Sequence, residues 1–153
     1  MHPRVRKQFY DGNVHMELFQ YAYENSTNPL CYNGDMQSIA DISKLSDAFP
    51  KVESVMLGRG LVADPGMLCG GTDRQILKNF LNELSDTYCI VFESKRNAIY
   101  RMKDNWHYLI SLFEGSEKLW KEMRKTTDYD RFMSIANEII ATLPMRERPE
   151  ITW

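Results

Sequence analysis

Hydrophobic and polar positions follow two different patterns along the chain, and the change falls near Gly70-Gly71. From Asp73 onward, apolar residues recur every three or four positions, which predicts amphipathic helices. The first helical run follows the N-cap pair Thr72-Asp73 and contains Ile76, Leu77, Phe80, Leu81, Leu84 and Tyr88. The second run stops at Gly115 and contains Ala98, Ile99, Met102, Trp106, Leu109, Ile110 and Phe113.

Two shorter helical runs complete this half of the chain. One starts at Ser116 and buries Leu119, Trp120 and Met123. The other opens at Thr127-Asp128, ends before Pro144 and buries Phe132, Ile135, Ala136, Ile139 and Ile140. Consecutive amphipathic helices joined by short connections predict a small helical bundle.

The first 71 residues show short apolar runs that alternate with helical segments. The pattern predicts helices over 14–24 and 38–48, and strands over 30–32 and 52–57. Ser38 with Asp41 three residues later is typical of a helix start. In the second strand, Val55, Met56 and Leu57 form a continuous apolar run that is typical of a buried strand. Strands that alternate with helices predict βα units and a parallel sheet.

Both predicted strands end at a turn rich in glycine and polar residues. The first runs into Asn33-Gly34-Asp35 and the second into Gly58-Arg59-Gly60. The carboxyl ends of parallel strands are where α/β sheets and barrels bind ligands. The second turn is either a plain strand-to-loop turn or a phosphate cradle, in which glycines expose backbone N–H groups and Arg59 adds donors. Asn-Gly is also the commonest hairpin dipeptide, but the helical pattern after it disfavours a hairpin.

Composition and charge narrow the class of protein. With 153 residues, 43% of them hydrophobic and 26% charged, the chain fits one soluble domain or two small ones that share a core. A net charge of -2 gives no overall basic field, so any nucleic-acid contact must come from a local patch. Cys31, Cys69 and Cys89 lack CxxC spacing, which predicts three small buried thiols in a reducing cytosol. No apolar run approaches a span of about 20 residues, so we expect a cytoplasmic protein without membrane contact or metal.

Three motifs occur in a fixed order: "HPRVRKQFYDG", "NPLCYNGDMQS" and "VMLGRGLVADP". Together with Ala63-Asp64-Pro65, they resemble the closing half of the tRNA-dihydrouridine synthases, flavoenzymes built on a (β/α)8 TIM barrel followed by a helical domain. The resemblance covers essentially the whole chain. It implies an α/β plus all-α fold, in which residues 1–71 are the last strands and helices of an FMN-binding TIM barrel. Residues 72–153 would then be a helical tRNA-binding domain.

The resemblance also implies which residues hold the cofactor and the RNA. The cofactor-binding residues would be His2, Asn33, Gly34, Asp35, Gly58 and Arg59. Arg4 would lie beside the flavin or the RNA, and the loop after it contains Arg6, Lys7 and Tyr10. In the helical half, the residues expected to contact RNA are Arg96, Arg101, Lys121, Arg124 and Lys125.

The basic residues of the helical half have two interpretations. Lys95 and Lys103 extend the cluster on the second helix, and "EMRKTTDY" resembles the family's basic "MRKH" segment. Thr126 stands where that segment has histidine. The alternative is a solvated helix face whose positive charges are interspersed with acids.

The function implied by the resemblance is the reduction of uridine to 5,6-dihydrouridine in tRNA, with FMN as cofactor and NADPH as electron donor. In that family a cysteine from the first half of the barrel donates a proton, and no cysteine of this chain matches it. We therefore expect the chain to be a C-terminal portion of the enzyme, and we assign no catalytic residue in it. We expect this portion to be inactive alone, with possible self-association through the open barrel edge. The alternatives are another FMN-dependent TIM-barrel oxidoreductase that acts on a small molecule, and a non-catalytic RNA-binding or interaction module.

Overall fold

The N-terminal half alternates short helices with two strands. The computed structural model of the chain describes residues 1–9 and 12–151, so Tyr10 lies outside the described residues. The elements of this half are a 3₁₀ turn at Arg6–Gln8, α1 at Met16–Asn25, β1 at Cys31–Tyr32, α2 at Ile39–Ala48, β2 at Ser54–Val55 and α3 at Arg59–Ala63. A further 3₁₀ turn at Met67–Cys69 leads into the helical half.

The strands β1 and β2 pair in parallel, with Cys31 opposite Ser54 and Tyr32 opposite Val55. The helix α2 makes the crossover, so the parallel βα arrangement is confirmed and a hairpin at Asn33-Gly34 is excluded. Met1 lies on the other side of β1, where its amino group donates to the Cys31 carbonyl and its own carbonyl accepts from the Asn33 N–H at 2.8 Å. The start of the chain therefore continues the hydrogen bonding of β1.

The second strand is shorter than predicted, and one of its apolar residues is not buried. Met56 is 57% exposed, whereas Val55 and Leu57 pack against the core of this half. Successive side chains of an extended segment point to opposite faces, so Met56 must face away from the core that its neighbours contact. The expectation of a continuous buried run was therefore wrong at Met56.

The core of the N-terminal half is a small aromatic cluster beneath the sheet. The Phe19 ring of α1 contacts the Tyr32 ring edge-on at 4.8 Å and the Phe49 ring at 5.1 Å. Met36 and Leu45 complete the buried set. The cluster holds α1 and α2 against β1, which fixes where the chain leaves the sheet.

Four helices form the second half, as the periodicity predicted. They are α4 at Arg74–Val91, α5 at Lys95–Leu109, α6 at Glu117–Lys125 and α7 at Tyr129–Thr142. Three of them begin at a side-chain cap, since Asp73, Ser94 and Asp128 each accept a hydrogen bond from an N–H of the first helical turn. The buried core of the bundle includes Leu77, Ile99, Met102, Trp106, Met123, Phe132, Ile135 and Ile139.

The second long helix ends earlier than its apolar pattern suggested. It stops at Leu109, a 3₁₀ turn follows at Ile110–Leu112, and Phe113 is extended. Phe113 forms an antiparallel bridge with Met145 from the end of the chain. The C-terminal segment therefore pairs with Phe113, which the periodicity alone would place in a last turn of α5.

The helix α3 joins the two halves. Three residues separate it from the end of β2, and it packs against α5 and the 3₁₀ turn at Ile110–Leu112. After it, the buried Asp64 carboxylate accepts from the Gly66 N–H at 3.2 Å and from the Thr72 hydroxyl, which ties the connecting loop together. The described residues thus form a two-stranded parallel α/β unit followed by helices, and a closed barrel is not present among them. None of their helices is both long and apolar enough to span a bilayer.

We expect Gly60→Ala to lower the free energy of unfolding by about 1–3 kcal/mol, the usual cost of overpacking. A Cβ at Gly60 would lie 2.0 Å from the Met36 carbonyl oxygen, so the backbone after β1 would have to move. Urea unfolding followed by circular dichroism measures the change. The control is Gly58→Ala, whose Cβ would have no heavy atom within 4 Å, and its effect should stay within about 0.5 kcal/mol. Equal unfolding midpoints for the two variants would contradict this packing.

Candidate functional site

A cavity of about 220 Å³ opens where the two strands end. Its lining residues are His2, Asn33, Gly34, Asp35, Met36, Met56, Gly58, Arg59 and Gly60. All six residues predicted to bind a cofactor are among them. They come from three separate segments, and the parallel pairing of β1 with β2 is the reason that the two turns meet at one edge of the sheet.

One carboxylate connects two arginines at this cavity. Asp35 Oδ1 accepts a hydrogen bond from Arg59 Nη2 at 3.1 Å, and Asp35 Oδ2 accepts one from Arg4 Nη2. The side chains are well shielded, since Arg4 is 1% exposed, Asp35 15% and Arg59 18%. Two guanidinium groups against one carboxylate leave a formal charge of +1, which suits an anionic ligand.

Burial changes the interpretation of Arg4. We predicted contact with the flavin or with RNA, yet a side chain that is 1% exposed offers no surface to a macromolecule. Its guanidinium instead supports Asp35 from inside the protein. The RNA contact of Arg4 stays a prediction that this conformation does not support.

The His2 side chain is hydrogen-bonded to the backbone of Asn33. The Nδ1–H of His2 donates to the Asn33 carbonyl at 2.5 Å, because a carbonyl oxygen can only accept. This bond places a hydrogen on Nδ1, and Nε2 takes no part in it. The side-chain amide of Asn33 makes no hydrogen bond to the residues that the structure describes, although it lines the cavity. An amide in this position can both donate to and accept from a ligand.

Glycine is required at Gly34 for packing. A Cβ there would lie 2.0 Å from the Tyr32 hydroxyl, so the turn after β1 passes directly over that ring. Burial raises the pKa of Tyr32, and the negative charge of Asp35 raises it further. The hydroxyl is therefore neutral at physiological pH, and its contact with Met16 Sδ at 3.4 Å holds it in place.

The predicted RNA-binding residues of the helical half divide into two groups. Lys121, Arg124 and Lys125 share one face of α6, because positions three and four apart on a helix are neighbours. Arg96 and Arg101 of α5 lie about 140° apart around the helix axis, so they do not form one patch. Arg101 also pairs with Asp104 at 3.5 Å. The face of α6 is the better candidate for a phosphate-contacting surface.

Lys103 belongs to the predicted basic cluster, but the structure uses it as a helix cap. Its ammonium donates to the Arg124 carbonyl at 3.0 Å and to the Thr126 carbonyl at 2.6 Å, at the end of α6. These carbonyls have no partner within their own helix, and a cation there is favourable. Partial burial lowers the pKa of Lys103. The residue therefore joins α5 to the basic end of α6.

The exposed 3₁₀ turn at Arg6–Gln8 carries the remaining predicted cations. Arg6 and Lys7 both face solvent there. The turn begins two residues after the buried Arg4, so Arg6 and Lys7 lie close in the chain to the segment that supports the cavity. Their contact with RNA stays a prediction.

Comparison with known families agrees with the motifs at the cavity. The family model described as Dihydrouridine synthase (Dus) matches residues 1–144. The chain belongs to the dihydrouridine synthase family. At family level, its members are oxidoreductases of tRNA dihydrouridine synthesis that generally depend on FMN. A search among curated proteins found no match. The resemblance drawn from the three motifs is confirmed.

The cysteines of this dihydrouridine synthase family member do not contribute to the cavity. None of its lining residues among the described parts of the chain is a cysteine. All three thiols are free, and Cys69 is exposed while Cys31 and Cys89 are half-buried, so the expectation of three buried thiols was wrong. The described residues also contain no group of three metal-ligating side chains.

Two lining residues, Met36 and Met56, were not predicted from the sequence, whereas Gly60 belongs to the turn that was considered as a phosphate cradle. Met36 and Gly60 touch each other across the two turns, and Met56 reaches the cavity because it faces away from the core. The alternation of Val55, Met56 and Leu57 along an extended segment was the signal that could have found Met56. No local pattern indicates the contact between Met36 and Gly60.

Proposed function

We propose that this chain carries the FMN phosphate site and the tRNA-contacting helices of a dihydrouridine synthase that reduces uridine to 5,6-dihydrouridine. The observation that carries the proposal is the convergence of His2, the Asn33–Asp35 turn and the Gly58-Arg59 turn on one cavity, which Arg59 lines. Family membership supports the reaction class. In this proposal residues 1–71 bind the cofactor, residues 72–153 contact tRNA, and the protein works in the cytoplasm with NADPH as electron donor.

The cavity residues fit the phosphate end of FMN. Arg59 offers a planar set of charged donors, and Asn33 adds a neutral amide. The volume of about 220 Å³ is below the roughly 300 Å³ at which small-molecule pockets begin, so the cavity suits a phosphate and its adjoining chain better than a whole flavin. When bound, the reduced flavin would supply the hydride. The residues of this chain would hold and orient the phosphate end.

A second candidate function is a non-catalytic RNA-binding module derived from the family. It is favoured by the cavity lining, in which the described residues include no thiol that could donate a proton. The two candidates differ in whether the chain binds FMN. Self-association through a sheet edge is compatible with either candidate and stays a prediction.

We expect Arg59→Ala to weaken FMN binding more than Asn33→Ala. A charged hydrogen bond contributes roughly 1.5–3 kcal/mol and a neutral one about 1 kcal/mol, so the ratio of the two dissociation constants should exceed about twofold. Titration of the chain with FMN, followed by flavin fluorescence, measures both constants. Lys44→Ala removes an exposed cation from α2 and should leave the affinity unchanged. Equal affinities for the wild type and Arg59→Ala would show that the Gly58-Arg59-Gly60 segment is only a turn.

We expect the 153-residue chain, supplied with FMN and NADPH, not to reduce uridine in tRNA. A general acid must reach the reacting atom within hydrogen-bond distance, and the described cavity lining contains no cysteine. Dihydrouridine can be measured by nuclease digestion of the tRNA and mass spectrometry of the nucleosides. A characterised dihydrouridine synthase assayed in parallel serves as the positive control. Turnover by this chain would mean that another residue donates the proton.

We expect the α6 face to contribute salt-dependent affinity for tRNA. Each phosphate contact removed should reduce the slope of log affinity against log salt by roughly 0.7–0.9. The triple change of Lys121, Arg124 and Lys125 to Ala should therefore flatten the slope by about two, as measured by filter binding over a salt series. The control changes Lys44, Lys51 and Lys78, which are exposed cations outside α6. An unchanged slope for the α6 variant would assign these cations to a solvated face.

A further inference from the structure

We propose that Asp35 is a positioning residue, which holds the Arg59 guanidinium at the cavity instead of contacting the anion itself. The inference rests on the proposed function, because the anion in question is the phosphate of FMN. Its basis is the pair of contacts that each bring one guanidinium to one oxygen of the Asp35 carboxylate. The three residues come from three different motifs of the sequence, so the contact joins segments that are 31 and 24 residues apart.

Charge argues against direct contact between Asp35 and a phosphate. An ionised carboxylate can only accept hydrogen bonds, and a phosphate dianion is likewise an acceptor. Two such groups at contact distance repel each other. Both Asp35 oxygens are already used by guanidinium donors. The residue therefore serves an anion through the arginine that it holds.

The contact with Arg4 offsets the charge of the Asp35 carboxylate, which lies beside the proposed anion site. The buried Arg4 guanidinium offsets the negative charge of Asp35 from inside the protein, where water screens little. Arg59 lines the cavity, so its guanidinium lies on the side that a ligand would occupy. Counted over these three side chains alone the formal charge is +1, whereas a single Asp–Arg pair would carry none.

Positioning also reduces the side-chain entropy that Arg59 loses when a ligand binds. An arginine side chain has about 2 kcal/mol of rotamer entropy, and a guanidinium fixed in advance loses less of it on binding. The contact at 3.1 Å orients Arg59 Nη2 toward Asp35. Asp35 thus acts on affinity through geometry, and Arg59 acts through charge.

The first test needs no ligand. The wild type and Asp35→Asn are treated with phenylglyoxal, which modifies accessible arginines, and each site is quantified by peptide mass spectrometry. We expect modification of Arg59 to become at least about threefold faster in Asp35→Asn. Arg96 on α5 is exposed in both proteins and serves as the internal standard. Asp47→Asn, an exposed change on α2, is the matched control. Unchanged reactivity of Arg59 would overturn the proposal.

Asp35→Asn removes the negative charge of Asp35 from beside the buried Arg4 cation, which can prevent folding. The variant that combines Arg4→Met with Asp35→Asn removes that cation as well. The same increase in Arg59 modification is expected in this double variant. Circular dichroism before labelling confirms which proteins are folded.

The second test is a double-mutant cycle with FMN as the probe. Asp35→Asn should weaken FMN binding about tenfold in the wild-type background, and by less than about twofold in the Arg59→Ala background. If Asp35 acted only by repelling the phosphate, its removal would strengthen binding, which would refute positioning. An equal loss in both backgrounds would assign Asp35 a direct contact.

The two tests separate this inference from the proposed function. Failure of the wild type to bind FMN would refute the FMN site, while the labelling result would still decide whether Asp35 holds Arg59. FMN binding by the wild type with no effect of Asp35→Asn in either test would refute only the positioning role.

Discussion

The parallel pairing of β1 with β2 is the constraint on which the rest of this structure depends. Two residues on each strand are enough to set the direction and register of the chain, with Tyr32 opposite Val55. The turns that follow both strands must then emerge at the same edge. Every polar group of the cavity is placed by this pairing or by Met1 and its neighbours on the other side of β1.

Close contact between the two turns makes this edge a defined site. Gly60 fits against the Met36 carbonyl and Gly34 against the Tyr32 ring, at separations that leave no room for a Cβ. The bridge from Asp35 to Arg4 and Arg59 then adds charged hydrogen bonds between the same segments. Because α3 begins at Arg59 and packs on α5, this arrangement also links the cavity to the helical bundle.

The basic residues of the helical half serve two different purposes. Lys103 caps the end of α6, Arg74 donates to the Leu143 carbonyl beyond α7 at 2.6 Å, and Arg146 donates to the Phe113 carbonyl at 2.5 Å. These cations satisfy carbonyls that would otherwise lack donors. In the described residues the cations on the exposed face of α6 cap no carbonyl. Arg124 lies 5.6 Å from the centroid of the Trp120 ring, and Lys121 and Lys125 face solvent, where a polyanion can reach them. Composition alone does not distinguish the two groups.

Local features of the sequence determined most of the secondary structure and much of the candidate site. The 3.6-residue period specified α4 to α7, and the Ser38 cap with Asp41 specified α2, because these signals depend on hydrogen bonds within about four residues. The order of the three motifs identified the family and the six predicted cofactor-binding residues, all of which line the cavity.

Only the tertiary structure decided which partners the charged groups take. The two arginines on Asp35 come from positions 31 and 24 residues away, and the carbonyls capped by Lys103 lie on another helix. The early end of α5 and the exposure of Met56 have the same origin, since Phe113 pairs with the distant Met145 and Val55 takes the core-facing side. Such contacts depend on how elements pack in space, and no pattern among neighbouring residues encodes them.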